Sequence, residues 1–127
     1  MAEEKKKTVL LVDDERDIVE LTRLRILSMG YNVIVACDGE EAIEKVRKER
    51  PDLVLLDVKM PKLDGYQVCK IVKSDPELKN IPIILFTASS RHVMELSDRA
   101  LELGAASCIK KPFDSKELLE QIKKLIG

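Results

Sequence analysis

The fold of this 127-residue chain is decided by the stretch Asp52–Gly65, which reads DLVLLDVKMPKLDG. Four apolar residues, 53–56, run directly into the carboxylate of Asp57, and a proline and a glycine follow. A short apolar run of this kind is typical of a strand buried on both faces, as in a parallel sheet covered by helices. Asp57 would then lie where the strand ends, at the edge where open α/β sheets bind their ligands. Because a buried carboxylate is costly without a partner, we expect other parts of the chain to meet it there.

The composition narrows the class of protein. The 22 basic and 23 acidic side chains nearly cancel, and only four residues are Tyr or Phe, with no Trp. Bulk positive charge and aromatic stacking surface are therefore both lacking, so we expect no direct binding of nucleic acid. The length suits one domain, predicted over residues 8–127 after a flexible N-terminus at 1–7.

Nothing in the sequence predicts a membrane segment or a disulfide framework. No apolar run approaches the length that spans a bilayer, and Met1–Lys7 lacks the apolar core of a signal peptide. The three cysteines, Cys37, Cys69 and Cys108, are widely spaced and form no C-x-x-C motif. They are interpreted as thiols in a reducing compartment, which predicts a cytoplasmic location.

Apolar patterning predicts five strands that alternate with five helices. In the first helix, Asp17–Met29, a stripe at three-residue steps is formed by Ile18, Leu21, Leu24 and Leu27. Asp114 and Glu117 resemble a capping box before the last helix. The remaining helices are expected around residues 42–46, 66–73 and 93–103. The strands are predicted at Thr8–Val12, Asn32–Ala36, 53–57, Ile81–Phe86 and Ala106–Ile109.

This alternation predicts an α/β fold, a doubly wound parallel sheet with helices on both faces. Right-handed crossovers leave few arrangements, and the strand order 2-1-3-4-5 sets the first and third strands side by side.

Polar residues follow four of the strands. They are Asp13 and Asp14, Asp57, Thr87 and Lys111. In a parallel sheet these positions share one edge, where three carboxylates would repel one another and need a cation. A hard divalent ion with oxygen ligands, most plausibly Mg²⁺, supplies it. A carboxylate, a metal, a lysine and a hydroxyl are the groups needed to move a phosphoryl group onto an oxygen.

Four motifs occur in the order of a known family: Val-Asp13-Asp14-Glu, Asp57-x-x-Met60-Pro61-x-x-Asp64-Gly65, Thr87-Ala88 and Lys111-Pro112-Phe113. With them the chain resembles a response-regulator receiver domain of two-component signalling, chemotaxis regulators included. The resemblance implies a flavodoxin-like (βα)5 three-layer sandwich. It also implies that Asp57 is the phosphoacceptor and takes a phosphoryl group from a histidine kinase or a phosphotransfer protein.

The same resemblance implies roles for the other site residues. Asp14 and Asp57 would bind Mg²⁺ by their side chains, Lys59 by its backbone carbonyl, and Asp13 through water. Thr87 and Lys111 would contact the phosphoryl oxygens, and the Lys111–Pro112 peptide would be cis. Lys110, on the other side of the strand, is expected at the surface.

The chain departs from the family pattern at Cys108, where the family usually has an aromatic switch residue that follows the threonine. We expect phosphorylation still to move Thr87, without a ring swap at position 108. Lys59 and Ser89 flank the site and neither orients an attacking water readily, which predicts a long-lived phosphoryl group. His92, the single histidine, is interpreted as a surface residue.

The predicted function is a phosphorylation-controlled switch rather than an enzyme. It would act as a regulator without an output domain, as a monomer or a phosphorylation-dependent dimer. Phosphorylation would alter a binding face made of the fourth helix, fifth strand and fifth helix, for a downstream protein that the sequence does not name. The alternative is a receiver-like scaffold that takes no phosphate. A haloacid-dehalogenase-type phosphatase is disfavoured, because Lys59 stands where its second Asp would be.

Overall fold

The computed structural model describes residues 6–60, 62–87, 98–100, 102–110 and 114–127. Its strands are β1 Thr8–Val12, β2 Asn32–Ala36, β3 Leu53–Asp57, β4 Ile83–Thr87 and β5 Ser107–Lys110. Its helices are α1 Arg16–Ser28, α2 Gly39–Glu49, α3 Gly65–Ser74 and α4 Ser115–Ile126. Residues 98–100 and 102–103 are also helical, within the region where the sequence predicts a fourth helix.

The five strands form one parallel sheet in the order β2-β1-β3-β4-β5, which confirms the predicted topology. β3 lies at the centre and all five of its residues are buried, as expected for a strand covered on both faces. β4 begins later than predicted: Pro82 precedes it, and the Pro82 carbonyl accepts a hydrogen bond from the Val54 amide at 3.0 Å. β5 likewise begins and ends one residue later than predicted.

Alternate residues of the strands face two separate apolar layers. One layer packs the sheet against α2 and α3, with Val46, Val68 and Val72 fully buried. The other packs it against α1 and α4, with Ile26, Leu118 and Ile122 fully buried. The molecule is therefore the three-layer sandwich that the alternating pattern predicts.

The side of α1 that meets the sheet differs from the predicted stripe. Val19, Thr22 and Ile26 are buried, whereas Leu21, Leu24 and Leu27 are 58%, 52% and 38% exposed. Steps of three and four residues keep Val19, Thr22 and Ile26 on one face of a helix. Three successive three-residue steps instead drift by roughly 60° each, because a helical turn takes 3.6 residues. The leucines therefore form a row that winds over the solvent side.

No helix among the described residues is both long and apolar enough to cross a bilayer. The three cysteines are unpaired thiols, as expected: Cys69 is buried, Cys108 is half-buried and Cys37 is exposed.

Candidate functional site

Three carboxylates meet at the carboxyl edge of the sheet. One oxygen each from Asp13, Asp14 and Asp57 can be chosen so that all three lie within 4.8 Å of one another. Asp13 and Asp57 are only 1% and 5% exposed, while Asp14 faces solvent. The strand register produces this cluster, because Val12 pairs with Leu56 and the next residue on each strand is an aspartate.

Backbone amides orient two of the three carboxylates. The Glu15 amide donates to Asp13 Oδ1 at 3.1 Å, and the Lys59 amide donates to Asp57 Oδ1 at 3.2 Å. The Asp13 amide donates to the Ala36 carbonyl at 3.2 Å, which extends the β1–β2 pairing to the edge of the site. Hard divalent cations prefer oxygen ligands in such carboxylate groups, so the cluster fits an ion such as Mg²⁺.

The other predicted site residues follow the neighbouring strands. Thr87 is the last residue of β4 and pairs with Lys110, the last residue of β5. Lys110 is exposed, as expected for a residue outside the site. The side chain of Thr87 and all of Lys111, Pro112, Ser89 and His92 lie outside the described residues, so their predicted roles, the cis peptide included, stay predictions.

The loop after Asp57 is fastened by close backbone contacts. The Gly65 amide donates to the Val58 carbonyl at 2.9 Å, and a Cβ on Gly65 would lie 2.4 Å from the Asp57 carbonyl oxygen. A glycine is therefore required where α3 meets the end of β3. The motif Asp64-Gly65 does not by itself show this close approach in the sequence.

Asp64 also caps α3 in a full capping box. Its carboxylate accepts from the Gln67 amide at 2.9 Å, and the Gln67 side chain accepts from the Asp64 amide at 2.9 Å. The spacing Asp-x-x-Gln before an apolar run is a variant of the capping-box pattern and was visible in the sequence. The box fixes the start of α3 and hence the end of the loop that carries Lys59.

The same loop is tied to the start of α2. The Lys62 ammonium lies 3.5 Å from Asp38 Oδ2, and Lys62 has a left-handed backbone with φ +69°. The Glu41 amide, which donates to Asp38, and next the Lys62 charge lower the pKa of the Asp38 carboxyl. A Cβ on Gly39 would lie 2.3 Å from the Leu63 carbonyl oxygen, so α2 directly abuts the loop.

Comparison with known proteins agrees with this fold. The family model described as the response regulator receiver domain matches residues 9–123. A probable transcriptional regulator, ycf27, from Guillardia theta is 43% identical over 97% of this chain and 46% of its own length. The chain thus spans about half the length of the curated relatives that it matches. The chain belongs to the response-regulator receiver-domain family.

Two solved structures show the likeness in three dimensions. A putative response regulator from Chloroflexus aurantiacus is 35% identical, with a TM-score of 0.90 over 96% of this chain and 98% of that one. The receiver domain of sensor histidine kinase PA1611 from Pseudomonas aeruginosa is 28% identical, with a TM-score of 0.87 over 97% of this chain and 99% of that one. That structure has a magnesium ion coordinated in its active-site cleft.

Proposed function

We propose that this chain is the phosphoacceptor of a two-component phosphorelay, with Asp57 as the residue that is phosphorylated. The cluster of Asp13, Asp14 and Asp57 supports this proposal above all. A carboxylate oxygen of Asp57 attacks the phosphorus of a phosphohistidine, the P–N bond breaks, and the departing imidazole takes up a proton. The product is an aspartyl phosphate.

A divalent cation, Mg²⁺, fits the cluster and belongs to this proposal. Asp14 and Asp57 would hold it by their carboxylates, Lys59 by its backbone carbonyl, and Asp13 through water. When bound, the ion neutralises charge on the transferring phosphoryl oxygens. The Lys59 amide, which donates to Asp57 Oδ1 at 3.2 Å, helps to orient the Asp57 carboxylate.

Thr87 and Lys111 complete the proposed site by contacting the phosphoryl oxygens. The pairing of Thr87 with Lys110 supports this assignment, because Lys111 is the next residue along the chain. Lys59 is exposed and offers no carboxylate or carboxamide to orient a water. We therefore predict a phosphoryl group that is longer-lived than in fast-cycling relatives, and a lifetime of seconds would contradict this.

The phosphodonor is proposed to dock on the leucine row of α1, Leu21, Leu24 and Leu27. The row begins seven residues after Asp14, on a helix that starts beside the acidic cluster, so a helix of a histidine kinase or phosphotransfer protein that lies along it is close to the site. Arg23 beside Leu24 is paired with Glu20, so the apolar row itself favours a donor helix with an apolar face. Leu24→Glu should slow phosphoryl transfer from a histidine kinase that phosphorylates the wild type. It should leave phosphorylation by acetyl phosphate unchanged.

The predicted fourth helix, β5 and α4 are proposed to form the surface that binds a downstream protein. The sequence does not name that protein. The chain would signal rather than turn over a substrate. Action without an output domain, a cytoplasmic location, phosphorylation-dependent dimerisation and the lack of direct nucleic-acid binding stay predictions.

Labelling with acetyl phosphate tests the acceptor role. The wild type should gain one phosphoryl group, seen as a mass increase of about 80 Da, only when Mg²⁺ is present. Asp57→Asn should abolish the gain, and Asp52→Asn, at the opposite edge of the sheet, should not. Failure of the folded wild type to gain mass would favour the alternative, a receiver-like scaffold.

A further inference from the structure

One face of α3 contacts the chain between residues 99 and 104 at three successive turns. The guanidinium carbon of Arg99 lies 4.8 Å from the centre of the Tyr66 ring. The Cys69 thiol donates to the Leu103 carbonyl, with 3.7 Å between Sγ and O. The Lys73 side chain passes 3.6 Å from the position that a Cβ of Gly104 would take. Spacings of three and four residues place the three α3 side chains on one face.

The start of α3 lies against the end of β3, the strand that carries Asp57. α3 begins at Gly65, whose backbone lies against the Asp57 and Val58 backbone so closely that no side chain fits between them. Tyr66 is the next residue. A single capped helix therefore touches the end of β3 at its first residue and Arg99, Leu103 and Gly104 along its length. Rigid elements of this kind carry displacements between distant sites.

Tyr66 is also placed unlike the other aromatic residues of the described chain. Tyr31 and Phe86 belong to the apolar layer beneath α1 and α4, whereas Tyr66 packs against the layer beneath α2 and α3. Leu103, Ala105 and Cys108 pack against that same layer. Among the described residues, Tyr66 is thus the aromatic ring on the side of the sheet that faces residues 99–104.

We propose that α3 transmits the phosphorylation of Asp57 to residues 99–104 through the contact between Tyr66 and Arg99. The proposal rests on the proposed function. A phosphoryl group adds negative charge at the end of β3, beside the positively polarised N-terminus of α3. A small shift of the capped helix moves the Tyr66 ring, and Arg99 follows it through the cation–π contact. Arg99 is exposed, so its position presents the state of Asp57 at the surface.

Amide NMR spectra of the full chain test this coupling, with Mg²⁺ and beryllium fluoride as the phosphoryl mimic. In the wild type the mimic should shift the amides of Asp13, Asp14 and Asp57 and also those of residues 98–104. Tyr66→Leu removes the ring, and the response of residues 98–104 should then fall to less than about half. Tyr66→Phe is the matched control, because it keeps the ring and should keep the response.

The amide shifts of Asp13, Asp14 and Asp57 distinguish a failure of the coupling from a failure of the proposed function. A full response of residues 98–104 in folded Tyr66→Leu would overturn the coupling, as would a wild type whose shifts stay at the site. A wild type without shifts at Asp13, Asp14 or Asp57 would instead overturn the proposed function itself. If Tyr66→Leu fails to fold, the exposed Arg99→Ala replaces it and should show the same loss.

Discussion

The helices α1 and α3 both begin beside the acidic cluster, and they differ in what they contact. α1 follows Asp14 by two residues, has no side-chain cap at Glu15, and leaves its leucine row in solvent. α3 follows the loop after Asp57, begins in a capping box, and contacts both the sheet and residues 99–104. One helix has a surface that a partner can cover, while the other is packed against the rest of the molecule.

This difference suggests a division of roles. A helix with an exposed apolar row next to the site suits the approach of a phosphodonor, because covering the row removes apolar surface from water. A helix held at its start and along two faces suits transmission, because it moves as a unit.

The largest effect is expected from the buried row of α1. Ile26 is fully buried, so Ile26→Ala should lower the free energy of unfolding by about 3 kcal/mol through lost burial and a cavity. Leu24→Ala, on the opposite side of the same helix, should change it by less than about 0.5 kcal/mol. Urea unfolding followed by circular dichroism measures both. Equal losses would mean that the leucine row belongs to the core.

The second-largest loss of stability is expected where α3 closely approaches β3. Gly65→Ala should cost about 2–3 kcal/mol, since its Cβ would meet backbone atoms that cannot move independently. Gly30→Ala is the control: its Cβ meets nothing within 4 Å, and only the left-handed φ of +98° is strained, at about 1 kcal/mol. A Gly65 variant as stable as the Gly30 variant would show that α3 can move away from Asp57 at little cost.

Removal of the helix cap should have a smaller effect. Asp64→Ala loses the carboxylate that accepts from the Gln67 amide and should destabilise the protein by about 1 kcal/mol. Glu15→Ala at the corresponding position of α1 should be nearly neutral, since Glu15 makes no side-chain cap bond. The two melting temperatures, compared with the wild type, check the contrast. A loss at Glu15 that matches the loss at Asp64 would refute it.

The smallest effect at neutral pH concerns the Cys69 thiol of α3, whose contribution to stability changes only in alkaline solution. Burial raises its pKa to about 11, despite the opposing charge of Lys73. The folded state therefore holds the thiol proton where the unfolded chain has lost it, and this contribution to stability declines between about pH 9 and pH 11. The decline should be shallower in Cys69→Ala, as urea titrations at pH 8, 9, 10 and 11 would show. A variant with the same pH profile as the wild type would contradict the assignment.

The acidic cluster could be predicted from the sequence because it depends on parallel strands alone. If residues 53–56 and Thr8–Val12 are parallel buried strands, the residues that follow them lie at the same edge of the sheet, independent of the loop conformations. Asp13, Asp14 and Asp57 accordingly meet as predicted. The buried face of α1 was harder to predict, because Ile18, Leu21, Leu24 and Leu27 offer a second apolar stripe. Only contact with the sheet chooses between the two.

The chain by itself determined the alternation of strands and helices, their order in the sheet and the edge that carries the acids. These follow from local patterns of apolar residues and from the handedness of crossovers, which act over short stretches of sequence. Tertiary structure alone decided which side of α1 meets the sheet, how closely Gly65 approaches Asp57, and that Tyr66 meets Arg99. These contacts join residues through packing in three dimensions, and no spacing along the chain encodes the final distance between them.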